Sequence, residues 1–184
     1  KFNPEMDQLT RQLDLVRVET EENHSLNKLQ EQRRAGRPIE WGDYFIRIAN
    51  QVKLKSKDRA TKVGVVLVGS EKEIVSTGYN SFPRGIQDDL PERQDRPEKY
   101  FWFAHGEVNS IVNAARIGVS TMNTDMYMTC GIPCCGCAQS IINAGVRMII
   151  CSSVESAHGQ HYPEEIKRSV QMFEEAKVEI VRYD

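Results

Sequence analysis

No apolar run in the 184 residues approaches the about 20 that a helix needs to cross a bilayer, and no secretory pattern opens them. Nor does one sign of charge dominate: 24 lysines and arginines stand against 26 aspartates and glutamates. Proteins that grip polynucleotides present a broad cationic face, so this balance disfavours a tRNA or DNA partner. Cysteine is scarce and unevenly spread. Three of the five crowd into Cys134, Cys135 and Cys137, which argues against a disulfide framework and for a reducing, cytoplasmic setting. Internal repeats and low-complexity segments are missing too. The sequence starts at Lys1 rather than at a methionine, and the natural start is expected upstream. One domain with an appendage fits this length, which suffices to bury a full core.

What the sequence does hold is concentrated between His105 and Cys137. His105-Gly106-Glu107 opens the stretch and Pro133-Cys134-Cys135-Gly136-Cys137 closes it. A catalytic zinc takes three protein ligands and leaves a fourth position for water, and a histidine with a Cys-x-x-Cys pair supplies those three. Each part alone is weak: a Cys-x-x-Cys also serves redox chemistry, and a lone histidine is more often a core or surface residue. The glutamate two residues after the histidine makes the combination informative. A structural zinc site closes itself with a fourth Cys or His, whereas a carboxylate beside an open position moves protons on and off bound water. The pattern matches the signature of zinc deaminases that act on nucleobases. The expected Zn2+ ligands are His105, Cys134 and Cys137, with Glu107 as the catalytic proton shuttle of a hydrolytic deamination. His105 and Cys134 each fall where a loop meets a helix, so two positive helix ends are expected to face one place and favour thiolates. Cys135 and Cys130 read as packing residues. His158 and His161 have no acidic or thiol partner at ligand spacing, so no second metal site is expected there.

The rest of the chain supplies a frame for that stretch. Residues 1–38 are polar, with Met6, Leu9, Leu13 and Val16 at helical steps, and read as a helical extension and linker before a domain spanning 39–184. From Trp41 the spacing predicts a helix with Trp41, Tyr44, Phe45, Ile48, Ala49 and Val52 on one face. Lys62–Val68 and Glu73–Tyr79 read as an antiparallel hairpin buried on its first strand. Ser81–Ala104 is a long charged connection, of a kind that in compact domains tends to be functional. Its Arg84, Arg93 and Arg96 suit bidentate phosphate contacts, and Tyr100, Phe101 and Trp102 offer faces for a base. Asp88, Asp89, Glu92 and Asp95 argue instead for charges paired among themselves, unless a divalent ion bridges them to a triphosphate. Beyond it, helices and strands alternate. A helix with Val108, Ile111, Val112 and Ala115 inward stops at Gly118, and a strand covers Met126–Cys130. A helix with Ala138, Ile141 and Ile142 inward ends at Gly145, before a strand over Met148–Cys151. A last helix begins at Pro163 and turns Ile166, Val170 and Phe173 inward, followed by a strand over Val178–Val181. A helix separates each of the last three strands, so they are expected to run parallel within a five-stranded mixed sheet, in a three-layer α/β fold.

From Trp41 to about Arg182 the chain resembles the deoxycytidylate (dCMP) deaminase family of the cytidine deaminase superfamily. The resemblance rests on Ser56-Lys57-Asp58 with Val63-Gly64, on Gly78-Tyr79-Asn80, on Arg84-Gly85 and Asp88-Asp89, on the zinc motif, and on Ile141-Ile142-Asn143-Ala144-Gly145. It implies a cytidine-deaminase-like fold, dCMP as substrate and dUMP as product, and Asn80 on the sugar. Gly106 and Tyr162 are the further substrate candidates. It also implies a homo-oligomer, often a hexamer, with dCTP and dTTP as effectors, and Mg2+ is the divalent ion expected if the acids of the connection bridge to such a triphosphate. Ser56, Lys57, Arg84 and Arg96 are the candidate phosphate or effector contacts. Other superfamily members act on dCTP, nucleosides, free bases or tRNA adenosine, and a non-catalytic regulatory subunit is the alternative outside enzymes. Glu107 argues against the last, because a subunit freed from catalysis needs no carboxylate there. The sequence departs from the family in three places. Gly106 stands where alanine is usual, which loosens the backbone facing the base. Ser81 replaces a glycine of the effector region, and Ser152-Ser153-Val154 lacks the tyrosine that packs on the base, a role for which Tyr162 is the substitute.

Overall fold

The computed structural model describes residues 39–155, 159–160 and 162–183. The stripe expected in residues 1–38 lies outside them, as do His158 and His161. The repeat that starts at Trp41 forms α1 (Trp41–Lys53), with Asp43 in its first turn and Lys53 in its last, each at the helix end its charge favours. Phe45 and Ala49 of the expected face are buried, whereas Trp41 and Tyr44 are exposed. Phe45 takes the contact with the sheet, through Tyr127 at 5.0 Å, and Trp41 stacks on Phe45 at 5.5 Å. The first turn of α1 therefore covers its own Phe45 rather than the sheet.

The β-branched run becomes β1 (Gly64–Val68), buried along its whole length, and pairs antiparallel with β2 (Ile74–Tyr79). β3 (Asp125–Met128) lies antiparallel along the other side of β1, and β4 (Met148–Ser152) and β5 (Glu179–Tyr183) follow in parallel. The five-stranded sheet thus has the order β2-β1-β3-β4-β5, with the last three strands parallel as expected. A short helix, α2 (Lys99–Trp102), interrupts the charged connection. α3 (Gly106–Ile117), α4 (Cys135–Asn143) and α5 (Pro163–Ala176) link the later strands. Period-two alternation divides the strands between two cores. Val65, Leu67, Met126, Met128 and Ile149 pack with Ala138, Ile141 and Phe173. On the opposite face, Val66, Val68, Tyr127 and Ile150 pack with Phe45 and Ala49. Each fully buried large apolar side chain contributes about 1.5–3 kcal/mol, so both faces of the sheet are held, and the loops at its edge inherit a rigid base.

The inward face of α3 differs from the apolar spacing. Gly106, Glu107, Ser110 and Ala114 are its buried positions, while Val112 and Ala115 are exposed. Val108 and Ile111 pack only partly against the core. Backbone proximity decides this. A Cβ on Gly78 of β2 would overlap Ser110 N and Gly106 O, so only small side chains fit between strand and helix. Ser76 Oγ donates to Ser110 O at 2.8 Å, and Ser110 Oγ donates to Glu107 O at 2.7 Å, which ties the start of α3 to β2. Gly78→Ala is expected to cost about 3 kcal/mol, the upper part of the overpacking range, because backbone rather than a flexible side chain must give way. The measurement is the urea midpoint at constant slope; an unchanged midpoint would remove the close-approach argument. Gly118, at φ 74°, closes α3 in the left-handed conformation that a side chain disfavours.

Candidate active site

Two helix starts converge beyond the carboxyl end of β3. His105 is the N-cap of α3 and Cys134 the N-cap of α4, both in extended backbone conformation, and Cys137 lies one turn into α4 above Cys134. His105 Nδ1 is 3.2 Å from Cys137 Sγ and 3.5 Å from Cys134 Sγ. All three ligand atoms fall within 4.8 Å of one another. A tetrahedral zinc, with bonds of about 2.3 Å to sulfur and about 2.0 Å to nitrogen, requires nitrogen–sulfur separations of about 3.5 Å. The residues present therefore fit zinc, with three protein donors and one position left over.

The electrostatics point the same way. Hydrogen bonding from Cys137, and then from His105, lowers the Cys134 thiol to about 3. The His105 imidazole is raised to about 9, first by its hydrogen bond with Cys134. Cys137 is pushed upward as the partner that keeps its proton. A cluster that stabilises a thiolate and an adjacent positive charge is one where a dication replaces protons readily.

Glu107, the second residue of α3, is 5% exposed. Burial raises its carboxyl above the ordinary range, opposed by the nearby His105. A group that must both accept and return protons near neutral pH needs such a shift. Cys130 Sγ donates toward Glu107 Oε1 at 3.9 Å, and burial pushes this thiol well up, so it stays a donor. His105, Glu107 and Cys134 line one side of a cavity of about 120 Å³, several times the roughly 30 Å³ share of a water.

The remaining candidates divide by place. Asn80 lines the cavity, but its amide hydrogens go to Asp58 Oδ2 at 3.2 Å and Thr61 O at 2.8 Å, while Oδ1 accepts from Val63 N at 2.8 Å. Gly106 also lines it, and a Cβ there would sit 3.3 Å from Val63 Cγ1 and Val65 Cγ2. Arg96 and Tyr100 line the cavity from the connection. Arg84 lies elsewhere, donating to Asn113 Oδ1 at 2.7 Å beside β2 and α3. Arg93 stacks on Trp102 with its Cζ 3.9 Å from the ring centroid. Ser56 is buried and donates to Asn80 O, and Lys57 pairs with Asp88 at 2.7 Å on the surface. Tyr162 caps α5 and is exposed, outside the cavity lining. Cys135 faces α5, its N–H donating to Glu165 Oε1 and its Sγ to Glu165 O. Sequence reasoning gave no role to Asp58, quoted only within a motif, or to Lys99, one charge among several of the connection, and missed Phe103, although all three line the cavity. Their meeting depends on tertiary contact, and no local pattern announces it.

A family described as the cytidine and deoxycytidylate deaminase zinc-binding region matches residues 39–153. Human deoxycytidylate deaminase is 38% identical over 117 residues, 61% of this chain and 64% of that protein. The chain therefore spans just under two-thirds of that relative's length. A probable deoxycytidylate deaminase of Drosophila melanogaster is 31% identical over 168 residues, 86% of this chain and 79% of its own. Among solved structures, dCMP deaminase from the cyanophage S-TIM5 in complex with dCMP and dUMP superposes with a TM-score of 0.62 at 22% identity. It covers 77% of this chain and 95% of its own, a likeness that shows a shared fold.

Proposed function

Because the chain belongs to the cytidine and deoxycytidylate deaminase family, we propose that it converts dCMP to dUMP by hydrolytic deamination. The observation that carries this reading is Glu107, a buried carboxylate in the cavity beside a His/Cys/Cys ligand set. His105, Cys134 and Cys137 would hold zinc, which when bound supplies Lewis acidity that lowers the pKa of a water toward neutrality. Glu107 accepts the proton of the attacking water and passes it to N3 as C4 becomes tetrahedral. It then takes the remaining proton from the hydroxyl added at C4 and delivers it to the amino group, which leaves as ammonia as the C4–N bond breaks. The water oxygen remains as the uracil carbonyl, so each turnover consumes one water and releases one ammonia. Cys130, donating toward Oε1, orients the carboxylate for both transfers.

Asn80 Oδ1 keeps a second lone pair, which suits a sugar hydroxyl, and Gly106 offers backbone close to the base. Arg96 is the group we assign to the 5′-phosphate, since its guanidinium suits bidentate contact and it lines the cavity. Arg96→Ala should raise KM for dCMP about tenfold, the equivalent of one charge-assisted bond, and leave deoxycytidine kinetics nearly unchanged. Identical constants for dCMP would remove Arg96 from this role. The same reading extends to a cytoplasmic homo-oligomer regulated by a nucleoside triphosphate with Mg2+, for which the free state of all five cysteines and the carboxylates of the 81–104 connection are the supporting features.

Ammonia release by the zinc-loaded protein across cytosine, cytidine, deoxycytidine, dCMP, dCTP and adenosine substrates tests the assignment. dCMP should show the highest kcat/KM. A higher value for another compound would replace the substrate, and no release from any would end the enzymatic reading.

A further inference from the structure

We infer that the buried ion pair of Asp58 and Lys99 is a specificity device, which fixes the turn of chain that presents Arg96 and Tyr100 and so sets the preference for a phosphorylated substrate. The inference rests on the substrate reading above. Lys99 opens α2 within the charged connection and is 7% exposed, and its Nζ lies 2.8 and 2.7 Å from the two carboxylate oxygens of Asp58, itself 4% exposed. Lysine is almost never buried this deeply unless paired. Such a pair is a poor source of stability, because removing two charges from water offsets most of their attraction. What it does supply is one fixed geometry.

Asp58 is held by more than the lysine. Its Oδ1 accepts from Ala60 N at 2.8 Å and Thr61 N at 3.1 Å, and its Oδ2 from Asn80 Nδ2 at 3.2 Å. Asn80 in turn binds Val63 N, next to the start of β1. These bonds make a hub continuous with the sheet, and Lys99 ties α2 to it. Lys99 N donates to Asp95 O at 3.0 Å and Tyr100 N to Pro97 O at 3.1 Å, so the anchor belongs to the same hydrogen-bonded turn as its neighbours. Arg96 and Tyr100 both line the cavity, with the Arg96 Cζ 5.7 Å from the Tyr100 ring centroid. The ends of the connection are pinned separately, by reciprocal bonds between Ser81 and Ala104. The surface pair of Lys57 and Asp88 holds the middle weakly, since exposed pairs are worth little.

Removing Lys99 leaves the hub its backbone and Asn80 bonds, and leaves His105 and Glu107 on α3. The turn that carries Arg96 loses its tie. Lys99 is therefore a positioning residue, and its loss should appear in recognition of the phosphate more than in the chemical step.

The test uses the full zinc-loaded chain with Lys99→Met, and with the double variant Asp58→Asn/Lys99→Met, which removes both charges. Three quantities are measured: zinc content, kcat and KM for dCMP and deoxycytidine, and hydrogen exchange of peptides covering 91–104. Lys99→Met should keep its zinc and lose tenfold or more of the ratio of kcat/KM for dCMP over deoxycytidine, mainly through KM for dCMP. Amide exchange in 91–104 should rise tenfold or more, with α3 and α4 unchanged. The double variant should regain thermal stability without regaining the ratio, which separates positioning from a structural role. An unchanged ratio or unchanged exchange in Lys99→Met overturns the inference, as does a double variant that recovers selectivity. Loss of zinc together with both activities does the same. A wild-type protein that does not prefer dCMP to deoxycytidine overturns the substrate reading and the specificity role with it, and unaltered wild-type exchange in Lys99→Met would show separately that the anchoring had failed.

Discussion

Glu107→Ala should lower turnover by about 10² to 10⁴ or more, the range for an oriented acid-base group and its upper part for one that serves several steps, while zinc stays bound. The carboxylate stands apart from the metal ligands: His105, Cys134 and Cys137 form the ligand cluster, and Glu107 contacts Cys130 instead. It is also buried in a setting that disfavours its charge, so its removal should not unfold the protein. Glu107→Gln keeps the shape and loses the ability to exchange protons, and it should be nearly as inactive. Zinc content, melting temperature and ammonia release on the same preparations check this. Near-normal turnover in either variant would falsify the proton-shuttle mechanism, and loss of zinc in Glu107→Ala would move the residue into the metal shell.

The second large effect separates adjacent cysteines. Cys134→Ala should lose both zinc and turnover, because it removes one of three ligands and the thiolate that the site holds most strongly. Cys135→Ala should keep both. Its side chain points at α5, where Sγ meets Glu165 O at 3.3 Å and Ser169 Oγ at 3.6 Å, so its loss should cost about 1 kcal/mol, the scale of a neutral hydrogen bond. Metal analysis after dialysis, followed by thermal melting, distinguishes the two. Equal loss of zinc in both variants would mean that the ligand assignment within Cys134–Cys137 is wrong.

The contrast between these cysteines shows what kind of information a sequence carries. Cys134 and Cys137 are one helical turn apart, and Glu107 sits at the start of the helix that His105 caps, so each half of the candidate site is encoded in a short spacing, while bringing His105 onto cysteines 29 and 32 residues away takes the fold. The parallel half of the sheet was legible for a similar reason: strands each separated by helix leave few other connections. Strand ends shifted by one or two residues, as for Asp125–Met128, because the ladder ends where partners end. The inward face of α3 was misread for a different reason. Apolar spacing favoured Val112 and Ala115, yet the approach of the β2 backbone at Gly78 admits only Gly106, Ser110 and Ala114.

By itself, then, the sequence determined the candidate ligand pair Cys134 and Cys137, the pair His105 and Glu107, and the alternation of helices and strands, since each depends on residues within a turn or on local periodicity. Only the tertiary structure decided which charged residues of the connection face the cavity. Arg96 lines it and Arg84 turns toward Asn113, although both lie on the same stretch and have the same chemistry. Only the structure joined Lys99 to Asp58 across 41 residues and committed both amide hydrogens of Asn80. These pairings depend on which backbones come close enough to exclude water, a property of the packed chain that no local pattern specifies.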